Sequence, residues 1–187
     1  MGMYLVDAEA EEWLDGPCAA AFDEELARRG LPPYVPEPAV RGSGAGFEEK
    51  LVPRMDSFGA LCREVLGPVE EAGLFDWTEL VPVPFDGAIG LPFGSAYSDR
   101  TVIVSAHRLL PRVARLAEAL ELPEDLPGVG LRTMQLTCRF LDFEKEPHAL
   151  AGLTGRWTRD LPAALYVAMY LRAARHCLRT GHPLTYC

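Results

Sequence analysis

The chain has 187 residues, 49% of them hydrophobic and 24% charged, a composition that fits one globular domain and excludes a disordered or collagenous chain. Its net charge of −9 argues against nucleic acid as a ligand, because binding phosphates requires a cationic surface. Five cysteines with no CxxC pair and no zinc spacing supply neither a disulfide framework nor a metal site, and no cofactor is expected.

The opening MGMYLVDAEAEEW lacks a basic n-region and a long apolar core, so the expectation is a cytoplasmic chain without a membrane anchor. Charge is unevenly spread: residues 1–99 hold 19 acids and 6 bases, net −13, whereas residues 100–187 hold 8 acids and 12 bases, net +4. Either the two halves pack together and neutralise each other, or the acidic half faces a basic partner.

In chain order, Tyr4-Leu5-Val6 reads as a short strand. Asp7 then reads as the N-cap of a helix over Ala8–Leu14, with Glu9, Glu11 and Glu12 near its positive end. A second helix is predicted over 17–29, burying Cys18, Ala21, Phe22 and Leu26 and turning Asp23, Glu24 and Glu25 outward, with Gly30 closing it. Residues 30–47 are rich in proline and glycine and read as a strap or linker within the domain. Their PYVP run matches a bare PxxP pattern, and Gly42, Gly44 and Gly46 lack the context of a phosphate-binding loop.

A helix is predicted over 56–66. Val81, Val83 and Phe85, interrupted by prolines, read as an edge strand paired through Asp86-Gly87 with a return strand over 88–93. Thr101–Val104 is a further strand. Ser105 is the expected cap of a helix burying Leu109, Val113, Leu116 and Leu120, with a kink at Pro111 or a start nearer 110. Thr133–Phe140 alternates in polarity and predicts a strand; 142–159 reads as loop, anchored by Trp157.

The stretch 160–180, DLPAALYVAMYLRAARHCLRT, predicts the central element. Asp160 caps it, Pro162 lies in its first turn, Gly181 stops it, and Ala163 to Leu171 is apolar nearly all round. A helix apolar on more than one face requires partners on more than one face. A last short strand is expected at 184–186. The fold class expected is therefore α+β: a single compact domain, with a small, mostly antiparallel sheet and about five helices around a buried C-terminal helix.

Two places could carry chemistry. The loop of Ser95, Tyr97, Asp99 and Arg100, followed by His107, contains the hydroxyl, acid and base of a nucleophilic triad, although it lacks the G-x-S-x-G elbow. Arg108, Arg112 and Arg115 on one helix, and Arg172, Arg175 and Arg179 on another, could hold a phosphate or carboxylate if the two faces converge. His176, Cys177, His182 and Cys187 do not form a metal spacing, and Asp142, Glu144, Glu146 and His148 read as a solvated loop.

With no catalytic motif evident, the sequence reads as a protein-interaction chain of the immunity or masking type. Its acidic face (Glu9, Glu11, Glu12, Asp23, Glu24 and Glu25) would bind a basic protein. The alternative is a small hydrolase-like enzyme, or a small-molecule binder, with its site at the 86–100 loop.

Overall fold

In the computed structural model, which describes residues 2–36, 46–52, 55–71, 73–95, 98–130 and 133–187 (the Val69 side chain excepted), the chain begins with β1 (Tyr4–Asp7), α1 (Ala10–Asp15), α2 (Pro17–Arg28) and β2 (Glu48–Lys50). It continues through α3 (Asp56–Val65), α4 (Pro68–Glu71), β3 (Glu79–Val81), β4 (Ile89–Leu91), β5 (Thr101–Ser105) and α5 (Ala106–Ala119). It ends with α6 (Gln135–Lys145), α7 (Leu161–Thr180) and β6 (Leu184–Tyr186). The sheet order is β2-β1-β6-β3-β5-β4. All neighbours are antiparallel except β3 and β5. This is the α+β class expected.

Side chains alternate across the sheet and so divide the core in two. Leu5, Leu80, Val104 and Leu184 face α3, α5, α6 and α7. Val81, Ile89, Leu91 and Ile103 face Trp13 of α1, Phe22 and Leu26 of α2, and Tyr34. Residues 31–36 of the proline-rich strap thus seal the second face: Tyr34 packs edge-on against Trp13 at 5.8 Å and donates its hydroxyl to the Gly181 carbonyl at 2.8 Å. Residues 37–45 of the expected strap, including Gly42 and Gly44, lie outside the described residues.

Helix α7 is enclosed as its sequence requires. Asp160 accepts from the Ala163 amide at 3.2 Å and Gly181 ends the helix at φ 72°, a conformation that favours glycine. Every residue from Ala163 to Leu171 is buried. Phe58 of α3 packs on Tyr166 and Tyr170 at 5.5 and 5.6 Å, and Trp77 packs on Tyr170 and Tyr186 at 5.4 and 4.7 Å. The Tyr186 hydroxyl donates to that of Tyr170 at 2.9 Å, and Tyr166 donates to the Val52 carbonyl. Burial pushes the Tyr166 phenol up to about 12.

Four local expectations are corrected. The 133–140 stretch is not a strand: α6 begins at Gln135 and runs to Lys145, burying Leu136, Thr137, Phe140 and Phe143 at helical spacing. The alternation that suggested a strand is shared by a helix whose inward stripe continues to Phe143. Beyond it, 147–150 and 156–159 form short 3₁₀ turns, and Trp157 packs on Phe140 and Phe143.

The predicted hairpin between 81–85 and 88–93 does not form either. β5 lies between β3 and β4, and β4 pairs with β5 instead. Pro82 and Pro84 lack the amides that such a hairpin would need immediately after β3.

Asp7 does not cap α1, which starts at Ala10. Its carboxylate accepts from the Phe47 amide at 2.7 Å and meets His176 Nε2 at 2.7 Å. Ser105 precedes α5 without capping it, and Pro111 lies inside that helix. The start is fixed by β5 running directly into α5 and by the buried stripe Leu109, Val113 and Leu116.

The start of α6 explains why a helix forms there at all. Met134, at φ 61°, supplies no cap. Glu49, from β2, accepts instead from the Leu136 amide at 3.1 Å, the Thr137 amide at 2.9 Å and the Thr137 hydroxyl at 2.7 Å. A carboxylate 1% exposed is tolerable only because these donors and Arg172 surround it. Glu49→Ala is therefore expected to lower unfolding stability by about 3 kcal/mol or more and to speed amide exchange at Leu136 and Thr137. Urea titration and hydrogen exchange measure both, and a loss below about 1 kcal/mol would mean that α6 does not depend on this cap.

Candidate functional site

The 86–100 loop does not assemble a triad. Ser95 and Asp99 precede β5 and His107 follows it, and a strand of five residues separates its ends by about 13 Å. A nucleophile and its base must approach within about 3 Å. The Ser95 hydroxyl instead contacts the Ser98 carbonyl at 3.5 Å, and His107 is exposed on the first turn of α5. Tyr97 lies outside the described residues.

The arginines of α5 turn to the acidic half. Arg108 pairs with Asp86 at 2.8 Å. Arg115 pairs with Glu70 at 2.7 Å and donates to the Val65 carbonyl at 3.0 Å. Arg112 lies so close over Gly73 that a Cβ there would meet its Nη1 at 2.6 Å. The α7 set has other partners, so the two faces do not converge. Arg172 reaches Glu49 at 3.5 Å and the Gly130 carbonyl at 3.0 Å. Burial holds its guanidinium below the ordinary value, against the opposing pull of Glu49. Arg175 approaches Glu124 at 3.8 Å.

Arg179 Nη2 lies 3.2 Å from His176 Nδ1. A guanidinium only donates, so Nδ1 accepts and the Nε2–H donates to Asp7. Both ring nitrogens of His176 are thereby occupied, and the Asp7–His176 pair offers no free base to a substrate. The neighbouring Cys177 sulfur contacts the Leu80 carbonyl at 3.6 Å, and burial pushes its thiol upward. Arg172, Arg175, His176 and Arg179 together line a cleft of about 710 Å³ beside β2 and the 122–130 turn.

Much of the acidic half is neutralised internally. Glu64 pairs with Arg156, Glu70 with Arg115, Asp86 with Arg108 and Glu49 with Arg172, all across the two halves of the sequence. Of the six acids expected on the binding face, Asp23 accepts from the Tyr34 amide at 2.8 Å, Glu24 pairs with Arg28 at 3.6 Å, and Glu25 holds Arg28 and Arg29 at 2.6 and 3.2 Å. Those two arginines hold Glu25 below the usual carboxylate range.

Glu9, Glu11 and Glu12 are exposed, and among the described residues none of them has an ion-pair partner. Asp15, which the sequence reading passed over, joins them, and Leu14 stands 50% exposed beside Glu11 and Asp15. The signal was present: Glu11, Leu14 and Asp15 share one helical face, opposite buried Trp13.

Among the described residues no helix is long and apolar enough to cross a membrane. The chain matches no family model, no curated protein and no solved structure at a significant level.

One buried acid stands apart from these sites. Glu79 Oε1 accepts from the Thr185 hydroxyl at 2.8 Å, while Oε2 is buried and, among the described residues, has no hydrogen-bond partner. Burial pushes this carboxyl from 4.5 up to about 7. The folded state thus binds the proton more tightly than the unfolded chain, and its stability falls as pH rises between those two values. Ionisation costs about 3 kcal/mol by that shift. Glu79→Gln is expected to gain on the native protein by about that amount between about pH 5 and about pH 8, read from urea unfolding at both. Parallel pH profiles for the two proteins would show that Glu79 ionises freely.

Proposed function

We propose that this is a protein-interaction chain of the immunity or masking type, acting in the cytoplasm on a basic protein rather than on nucleic acid, through the outer face of α1. One observation carries the reading: Glu9, Glu11, Glu12 and Asp15 remain exposed and, among the described residues, without an ion-pair partner, with half-exposed Leu14 between Glu11 and Asp15 on one face, after most neighbouring acids have found partners. Unpaired charge around an apolar centre is the pattern of a docking patch with a polar rim. Opposite charge on the partner accelerates encounter, and the apolar contact slows release.

The experiment is affinity capture from the native host with the native protein and with Glu11→Lys/Glu12→Lys/Leu14→Ser, followed by kinetics with the purified captured protein. A basic protein is expected, with association slowed about tenfold or more by the triple variant and by raised salt. A partner bound equally well by both forms, or without salt dependence, would refute this assignment of the surface.

A further inference from the structure

The cleft on α7 carries a second, independent reading. Its walls are apolar, formed by Phe47, Leu122, Leu126, Val129 and Leu171. Two guanidinium groups reach it without a close carboxylate partner among the described residues. Arg179 touches only His176 Nδ1, and among the described residues it has no carboxylate partner. Arg175 has only Glu124 at 3.8 Å, with side chains 50% and 83% exposed, a pair worth about 0–1 kcal/mol. Arg172 differs, being committed to Glu49 and Gly130. Arg175 and Arg179 are one helical turn apart, which places their Cβ atoms about 6 Å from each other. One carboxylate can bridge two guanidinium groups so placed.

We propose that this cleft binds a small organic monocarboxylate, its carboxylate between Arg175 and Arg179 and its apolar body against Phe47, Leu126 and Val129. The volume of about 710 Å³ falls within the range of about 300–1,000 Å³ typical of small-molecule sites. Charge selects the class. The cleft lining also holds Glu48, Glu49, Glu124 and Asp125, so a dianionic phosphate meets more repulsion than a monoanion does. The apolar walls in turn demand more than a bare ion. Capture draws Arg179 toward the ligand and away from His176 Nδ1, so the His176 ring reports occupancy.

The test is calorimetric titration with octanoate and 4-phenylbutyrate, with octylamine and octyl phosphate as controls, alongside NMR of the His176 ring. Both acids are expected to bind and to shift the His176 resonances, octyl phosphate to bind more weakly, and octylamine not to bind. Arg175→Gln and Arg179→Gln should each weaken octanoate about tenfold, while Arg108→Gln leaves it unchanged. Arg175 and Arg179 are exposed, so both variants are expected to fold, which circular dichroism checks. Octylamine or octyl phosphate binding as tightly as octanoate overturns the proposal, as does undiminished binding by both arginine variants or no binding of either acid. None of these outcomes bears on docking at α1.

Discussion

A helix that is apolar around its whole circumference has no stable position at a surface, and most of this fold follows from satisfying that condition for α7. Nine consecutive residues, Ala163 to Leu171, are buried, which requires helices on several sides and a sheet beneath. α3 supplies Phe58, α5 its Leu109–Val113–Leu116 stripe, α6 its phenylalanines, and the sheet Leu80 and Leu184. The order of the sheet serves the same end. β6, immediately after α7, inserts between β1 and β3, so the chain's last strand closes the floor under the helix that precedes it.

The enclosure stops where the polarity of α7 changes. From Arg172 onward one side of the helix carries Arg172, Arg175, His176 and Arg179: His176 is still covered by Phe47 and Asp7, and Arg172 is held by Glu49, but Arg175 and Arg179 are exposed. The cleft is thus a consequence of sequence, since a helix that becomes amphipathic only in its second half is buried on every side only in its first, while Ala173, Ala174 and Cys177 keep its inner face buried to the end. Two carboxylates, Glu49 and Asp7, tie this transition to the sheet. Glu49 caps α6 and holds Arg172; Asp7 holds the Phe47 amide and His176. The cleft wall is therefore built from groups whose hydrogen bonds also set where α6 begins and how β1 meets α7.

What the sequence disclosed and what it concealed divide along one line. α2, α3, α7, β1 and β6 were legible because their signals are local: a proline in a first turn, a glycine just past the end, an apolar stripe at one period. α6 was not, because its cap comes from Glu49, more than eighty residues away in the chain. The pairing of β4 was not, because two prolines displaced the nearer partner. The α7 arginines could be placed on one face from spacing alone. That they line a cleft without the α5 arginines depends on where Asp86, Glu70 and Glu124 stand, which no local pattern contains.

The same distinction governs what the acidic composition means. Counting charges along the chain treats every carboxylate as surface, yet Asp7, Glu49 and Glu79 are structural, and Glu64, Glu70 and Asp86 face arginines from the other half. The charge asymmetry between the halves is thus in part a record of how they fit together. What survives that pairing is scattered, at Asp56, Asp76 and Asp99, except on α1, where four acids stand together. α1 buries Trp13 and leaves Glu9, Glu11, Glu12 and Asp15 without an ion-pair partner among the described residues; the one structural use evident for this charge is that Glu11 and Glu12 lie in the first turn, at the positive end of the helix dipole. A surface whose charge has so little structural use is where an external partner has the most to gain, since its own cations would displace only water.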